Sequence, residues 1–152
     1  MDSDLNNFAP KFYGISLVPK SIWKEYGHAL LAIAGSDGIV SDPELEWLTV
    51  DLSRDVGVDE NIVGDWEEFD YDGADLEEIF SSFNSSTLAS FNKLLIYDAI
   101  RMSSADGEYA LEEKEQVMEA ARIMNVSMDG VIAIEALVDL EQAADKLRMT
   151  VF

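Results

Sequence analysis

Two short blocks of this sequence carry the residue types and spacing that could do chemistry. Gly35-Ser36-Asp37-Gly38-Ile39-Val40-Ser41-Asp42-Pro43-Glu44-Leu45-Glu46 aligns without a gap on Ser104-Ala105-Asp106-Gly107-Glu108-Tyr109-Ala110-Leu111-Glu112-Glu113-Lys114-Glu115. Asp37 matches Asp106, Glu44 matches Glu113, and Glu46 matches Glu115. Glycine after aspartate permits a tight turn with positive φ, and the glutamate then falls in the first turn of the next helix. Its carboxylate can turn back toward the loop, where aspartate and glutamate converge as hard oxygen donors. That is the ligand chemistry of Ca²⁺ or Mg²⁺. Asp37, Glu44, Asp106 and Glu113 are therefore the candidate metal ligands, with Glu46 and Glu115 as weaker additions.

A purely structural role competes with this. Ser41 and Glu44 make a complete capping box, which explains Glu44 without any metal. In the second block Ala110 replaces the serine, yet Asp106 and Glu113 keep their spacing. The pattern also overlaps the second half of an EF-hand loop. The first and third loop positions would then be Ile33 and Gly35 in one block and Met102 and Ser104 in the other. An apolar first ligand cannot coordinate calcium, so an ordinary EF-hand does not fit, and a site assembled differently stays open.

The other clusters have simpler explanations. Asp70-Tyr71-Asp72-Gly73 with Asp75, Glu77 and Glu78 reads as a solvated loop and helix start. His28, the single histidine, lies near an apolar helix stripe and suits a half-buried structural role. With no cysteine, thiolate sites and disulfides are absent, and zinc or copper sites of ordinary type do not fit. Paired carboxylates could serve acid–base catalysis, but no cleft is indicated, and no P-loop, dinucleotide turn or Ser-His-Asp set is present. The chain reads as non-enzymatic.

The elements that must position these residues are helical. Residues 1–20 read as an irregular segment punctuated by Pro10, Gly14 and Pro19, and residues 21–152 as one helical domain. Ile22, Tyr26, Leu30 and Ile33 form the stripe of a first helix from Ser21 to Ala34. Ser41-Asp42-Pro43-Glu44 starts a second, with Leu45, Leu48, Leu52 and Val56 as its stripe and Gly57 as its stop. Asp59 caps a short helix through Ile62, Val63 and Trp66. Another short helix runs from about Asp75 with Leu76, Ile79, Phe80 and Phe83. Ser85 or Ser86 caps a longer one to about Ser103. Helices from Leu111 to Met124 and from Ser127 follow, the last carrying Ile132, Leu137, Leu140 and Leu147. Val56-Gly57-Val58-Asp59 and Met124-Asn125-Val126-Ser127 close the second helix of each half in the same way. Strand patterns are nearly absent and no helix shows a sustained heptad seam. The expected fold is an all-α compact bundle of about seven helices in two pseudo-symmetric halves.

Composition limits the partners. Ten Lys and Arg stand against 31 Asp and Glu, a net charge of -21, with 48% hydrophobic residues to build a core. Such a chain repels phosphate backbones and anionic lipid, which argues against nucleic acid and direct membrane insertion. Cations and basic protein surfaces are its natural partners. From Tyr26 to Phe91 the only Arg or Lys is Arg54. An acidic start without a signal-peptide pattern, and no apolar run long enough to span a bilayer, point to the cytoplasm.

The duplicated motif within a helical chain resembles the TerB-like family of small all-helical proteins associated with bacterial tellurite resistance. The residues carrying the resemblance are Ser104-Ala105-Asp106-Gly107-Glu108 with Glu113, and Gly35-Ser36-Asp37-Gly38 with Ser41 and Glu44, within about Ser21 to Leu140. The resemblance implies seven or eight helices and an acidic surface binding a divalent cation through Asp37, Glu44, Asp106 and Glu113. It also implies a stress-response role with a protein partner in a membrane-associated complex. Ala110 and Leu111, standing where Ser41 and Asp42 stand, depart from the first block and would leave the second site poorer in oxygen donors. The alternative is a metal-free acidic module that docks a basic protein.

Overall fold

A computed structural model describes residues 2–4, 17–35, 38–72, 74–79, 92–107, 109 and 111–152. The chain is all-α apart from one short ribbon, in which β1 (Asp2–Asp4) pairs antiparallel with β2 (Leu17–Pro19), Ser3 opposite Val18. The N-terminal segment, expected to be irregular, thus holds two paired three-residue strands. Three residues are too few for an alternating pattern to be legible.

Helix α1 (Lys20–Ala34) follows β2 directly and is the central element. Of the expected stripe Tyr26, Leu30 and Ile33 are buried and the Ile22 side chain lies outside the described ones; Trp23, Ala29 and Leu31 are buried too, because α1 is covered on several sides. It packs on α4 (Glu60–Glu68), α5 (Asn92–Ser103) and α6 (Leu111–Ile123). Trp66 of α4 approaches its backbone closely where Gly27 leaves room, and the indole Nε1 donates to Trp23 O at 3.1 Å.

The second helical stretch is continuous but changes its winding. It runs as α2 (Asp42–Glu46), a π-helix (Trp47–Leu52) and α3 (Ser53–Val56). Leu48, Leu52 and Val56 are buried as their spacing predicts, and Leu45 is half-buried. The π-helical turn was not legible in the sequence. Gly57 at φ 74° and Asn125 at φ 62° then end the second-stretch helices alike. Val58 N reaches back to Ser53 O at 3.1 Å, and Val126 N to Ala121 O at 2.8 Å. These are Schellman-type bonds that satisfy carbonyls at the helix end. Asp59 and Ser127 next cap α4 and α7 (Met128–Val151) through Ile62 N and Gly130 N. Of the short helix expected from Asp75, residues 76–79 are helical; Phe80, Phe83 and the capping serines Ser85 and Ser86 lie outside the described residues.

Helix α7 departs from expectation most. It buries Val131 and Val138 against α5 and α6, while Ile132, Leu137, Leu140 and Leu147 face outward at 56, 46, 69 and 62% exposure. Both faces of this helix are apolar, so its pattern alone does not say which one the core takes. Among the described residues no helix is long and apolar enough to cross a membrane.

Candidate functional site

The glycines of the two Asp-Gly blocks adopt the same local geometry. Gly38 has φ 97° and Gly107 φ 88°, the left-handed turn that glycine permits. Gly38 N bonds Gly35 O at 2.9 Å, and Gly107 N bonds Ser104 O at 3.0 Å. Each turn leads to a helix whose early glutamate is driven inward: Glu44 is 2% exposed and Glu113 3%. Glu46 and Glu115, two residues further on, face solvent because two helical steps turn a side chain to the far side.

Glu44 completes the expected capping box. Its Oε1 accepts from Ser41 N at 2.8 Å, while Ser41 Oγ accepts from Glu44 N at 3.3 Å. The second oxygen, Oε2, is buried and accepts no hydrogen bond among the described residues. A sealed carboxylate oxygen without a donor is costly, and a bound cation or a donor from a partner would relieve it. Glu113 shares its surroundings with Tyr109 and Glu135. Burial foremost, then the carboxylates of Glu135 and Glu113, hold the Tyr109 phenol far above its ordinary pKa. The Lys114 ammonium lies 5.2 Å from the centre of the same ring.

Asp106 is exposed in its turn, and Asp37 lies outside the described residues. Among the described residues no three His, Cys, Asp or Glu side chains converge as a metal site would require. Glu44, Asp106 and Glu113 alone therefore do not form one shared cluster.

The remaining sequence candidates are structural. Asp75 Oδ1 accepts from Glu77 N at 3.0 Å and Glu78 N at 3.4 Å, a helix start, and Asp70 and Asp72 are exposed. His28 stacks on Phe69 at 4.1 Å and meets Asp65 at 2.5 Å, tying α1 to α4.

A second site was not visible in the sequence. The π-helix, α3, α5 and α7 enclose a groove of about 660 Å³. Within it the Arg101 guanidinium lies 5.1 Å from the Trp47 ring and 5.0 Å from the Tyr97 ring. The Tyr97 hydroxyl donates to Glu141 Oε1 at 2.6 Å. Arg54, Arg101 and Arg148 all line this groove, but each has a carboxylate beside it: Asp51 and Asp55 for Arg54, Asp98 for Arg101 and Asp145 for Arg148. With Glu141 as well, carboxylates outnumber the arginines, and the groove is not anion-seeking. These residues are scattered over a hundred positions, so only folding assembles them. A π-turn is often associated with function, and its i→i+5 bonding leaves no residue signature to read.

The architecture defines a class, an all-α domain with two Asp-Gly turns, each delivering a buried glutamate to a helix start. Neither a protein-family model nor a curated protein matches the sequence. The fold matches the crystal structure of a tellurite resistance protein from Nostoc punctiforme PCC 73102, with a TM-score of 0.80 and 25% identity. The match covers 94% of this chain and 88% of that one. The fold thus bears out the resemblance carried by the Asp-Gly blocks: the chain is built like a tellurite resistance protein.

Proposed function

We propose that this chain is a non-enzymatic, cytoplasmic divalent-cation binding protein of the tellurite-resistance and stress-response type. Ca²⁺ or Mg²⁺ would be held by oxygen donors at the two Asp-Gly turns. The observation carrying this reading is Glu44 Oε2, a carboxylate oxygen buried without a donor among the described residues, at the start of the helix that follows the left-handed Gly38. Glu113 offers the matching buried carboxylate, and Asp37 and Asp106 supply the turn carboxylates. Local agreement of the two turns supports a duplicated pair of half-sites. The fold match to a tellurite resistance protein supports the tellurite-resistance setting; a basic protein partner, in a membrane-associated complex, is the further part of the proposal.

A second reading, the metal-free acidic module that docks a basic protein, is favoured by the lack of three converging carboxylates among the described residues. Thermal unfolding in EDTA, Ca²⁺ and Mg²⁺ separates the two. A ligand bound only by the native state at a hundredfold excess over Kd adds about 2.7 kcal/mol. The cation reading expects a saturable rise with one ion, lost in Glu44→Gln and in Asp106→Asn with Glu113→Gln. A small rise with either ion, kept in both variants, is charge screening and leaves the interaction module.

A further inference from the structure

Helix α7 presents an apolar outer face that nothing within the described chain covers. Ile132, Leu137, Leu140, Leu147 and Val151 are 46–69% exposed, against buried Val131 and Val138 on the opposite side. At about 100° per residue these five fall within about 140° of arc. Ala133, Ala136 and Ala143, all exposed, fill the space between them. From Ile132 to Val151 no charged residue falls within that arc, and Asp129 enters it only in the first turn of the helix. Alanine positions conceal it from a search for leucine heptads, which is why the sequence showed no seam. Stripes of this extent on a soluble domain mark an interaction surface.

Charge decides what fits. Helix α7 carries five carboxylates, Asp129, Glu135, Asp139, Glu141 and Asp145, and its two basic residues, Lys146 and Arg148, lie near its end. The rest of the molecule is acidic as well, to a total of -21. A second copy would bring two such charges together, and an anionic lipid surface would meet the same repulsion. An amphipathic helix with a leucine-rich face and basic flanks satisfies both the stripe and the field around it. We propose that the outer face of α7 is the docking surface for such a basic amphipathic helix of a partner protein, a helix-on-helix mode read at i, i+3, i+4 and i+7. The inference rests on the interaction-module reading for the sign of the partner's charge and is independent of any bound cation.

The test uses the full chain in EDTA and three labelled peptides followed by fluorescence anisotropy. One is a leucine-faced helix with lysine flanks, the second the same helix with glutamate flanks, and the third an unpatterned lysine-rich peptide of equal charge. The variant is Leu140→Ser with Leu147→Ser, exposed positions that leave net charge unchanged, with its fold checked by circular dichroism. Expected are binding of the lysine-flanked helix, at least tenfold weaker binding to the variant, and no binding of the glutamate-flanked helix. Equal binding of the lysine-flanked helix to parent and variant overturns the stripe's role, and if the unpatterned peptide binds as well, the acidic module survives without it. Failure of the lysine-flanked helix to bind overturns the proposal. So does a concentration-dependent dimer in sedimentation that the variant abolishes, since that assigns the face to a second copy.

Discussion

The Tyr26 hydroxyl donates to Asp98 Oδ2 at 2.5 Å across a separation of 72 residues, joining α1 to α5 inside the core. Asp98 also accepts from Arg101 at 3.2 Å, and Arg101 in turn lies over Trp47 and Tyr97. One buried carboxylate thus connects the central helix to the groove beside the π-helix. Tyr26→Phe should cost about 1.5–3 kcal/mol, the range for a hydrogen bond to a charged group. Asp98→Ala should cost more, since it also releases Arg101. Urea denaturation measures both, and a Tyr26→Phe loss under about 0.5 kcal/mol would show that this bond is not structural.

Gly27 is where α1 admits the Trp66 indole. A methyl group built there overlaps the indole ring, including the Nε1 that bonds the α1 carbonyls. The ring is 1% exposed and has nowhere to retreat. Gly27→Ala normally favours a helix interior by about 1 kcal/mol. Here overpacking of about 1–3 kcal/mol or more should reverse that sign. A thermal midpoint equal to or above the parent's would contradict the close approach. Gly64, with open space around its missing Cβ, is the control where alanine should stabilise.

Ser41 and Ser127 cap their helices with the same atom. Glu44 N bonds Ser41 Oγ at 3.3 Å and Gly130 N bonds Ser127 Oγ at 3.1 Å. Each serine-to-alanine change should cost about 1 kcal/mol, or about 2–4 °C in Tm. These losses should be the same in EDTA and in Ca²⁺ or Mg²⁺, because the cap needs no cation. A Ser41→Ala loss that appears only with added cation would place the serine in the metal site instead.

Tyr97 and Tyr109 resist ionisation, both because of burial first. Tyr97 is further raised by its bond to Glu141, and Tyr109 by Glu135 and Glu113. A folded pKa above the unfolded phenol value near 10 means that their contribution is fully present below that pH. It falls as pH rises beyond 10, because the unfolded chain loses the proton first. Stability should therefore drop above pH 10, and Tyr97→Phe or Tyr109→Phe should flatten that drop. Absorbance at 295 nm should show at least these two of the chain's five tyrosines ionising only as the protein unfolds. Simple titration of all five near pH 10 in folded protein would sink this.

Local signals in the chain were sufficient for much of the fold. Ser41, Asp59 and Ser127 cap as their side chains require, Gly38 and Gly107 take the left-handed turns, and Tyr26, Leu30 and Ile33 of the first stripe and Leu48, Leu52 and Val56 of the second are buried at their helical spacing. Each of these depends on residues within about one helical turn, so sequence carries it directly. The inward placement of Glu44 and Glu113 follows from the same local rule, the first-turn position of a glutamate after an Asp-Gly turn.

Only tertiary packing decided the rest. Helix α7 is apolar on two faces, and its placement against α5 and α6 chose Val131 and Val138 for the core, leaving Leu140 and Leu147 outside. The π-helical turn arises within the packed second stretch, bringing Trp47 to Arg101 of another helix. Tyr26 and Asp98 meet because α1 and α5 cross, and spacing along the chain cannot report a crossing. Residue order specifies turns, caps and periodicity over a few positions. Which apolar face is buried, and which distant polar groups share a site, is a comparison of whole-chain energies that only the assembled fold completes.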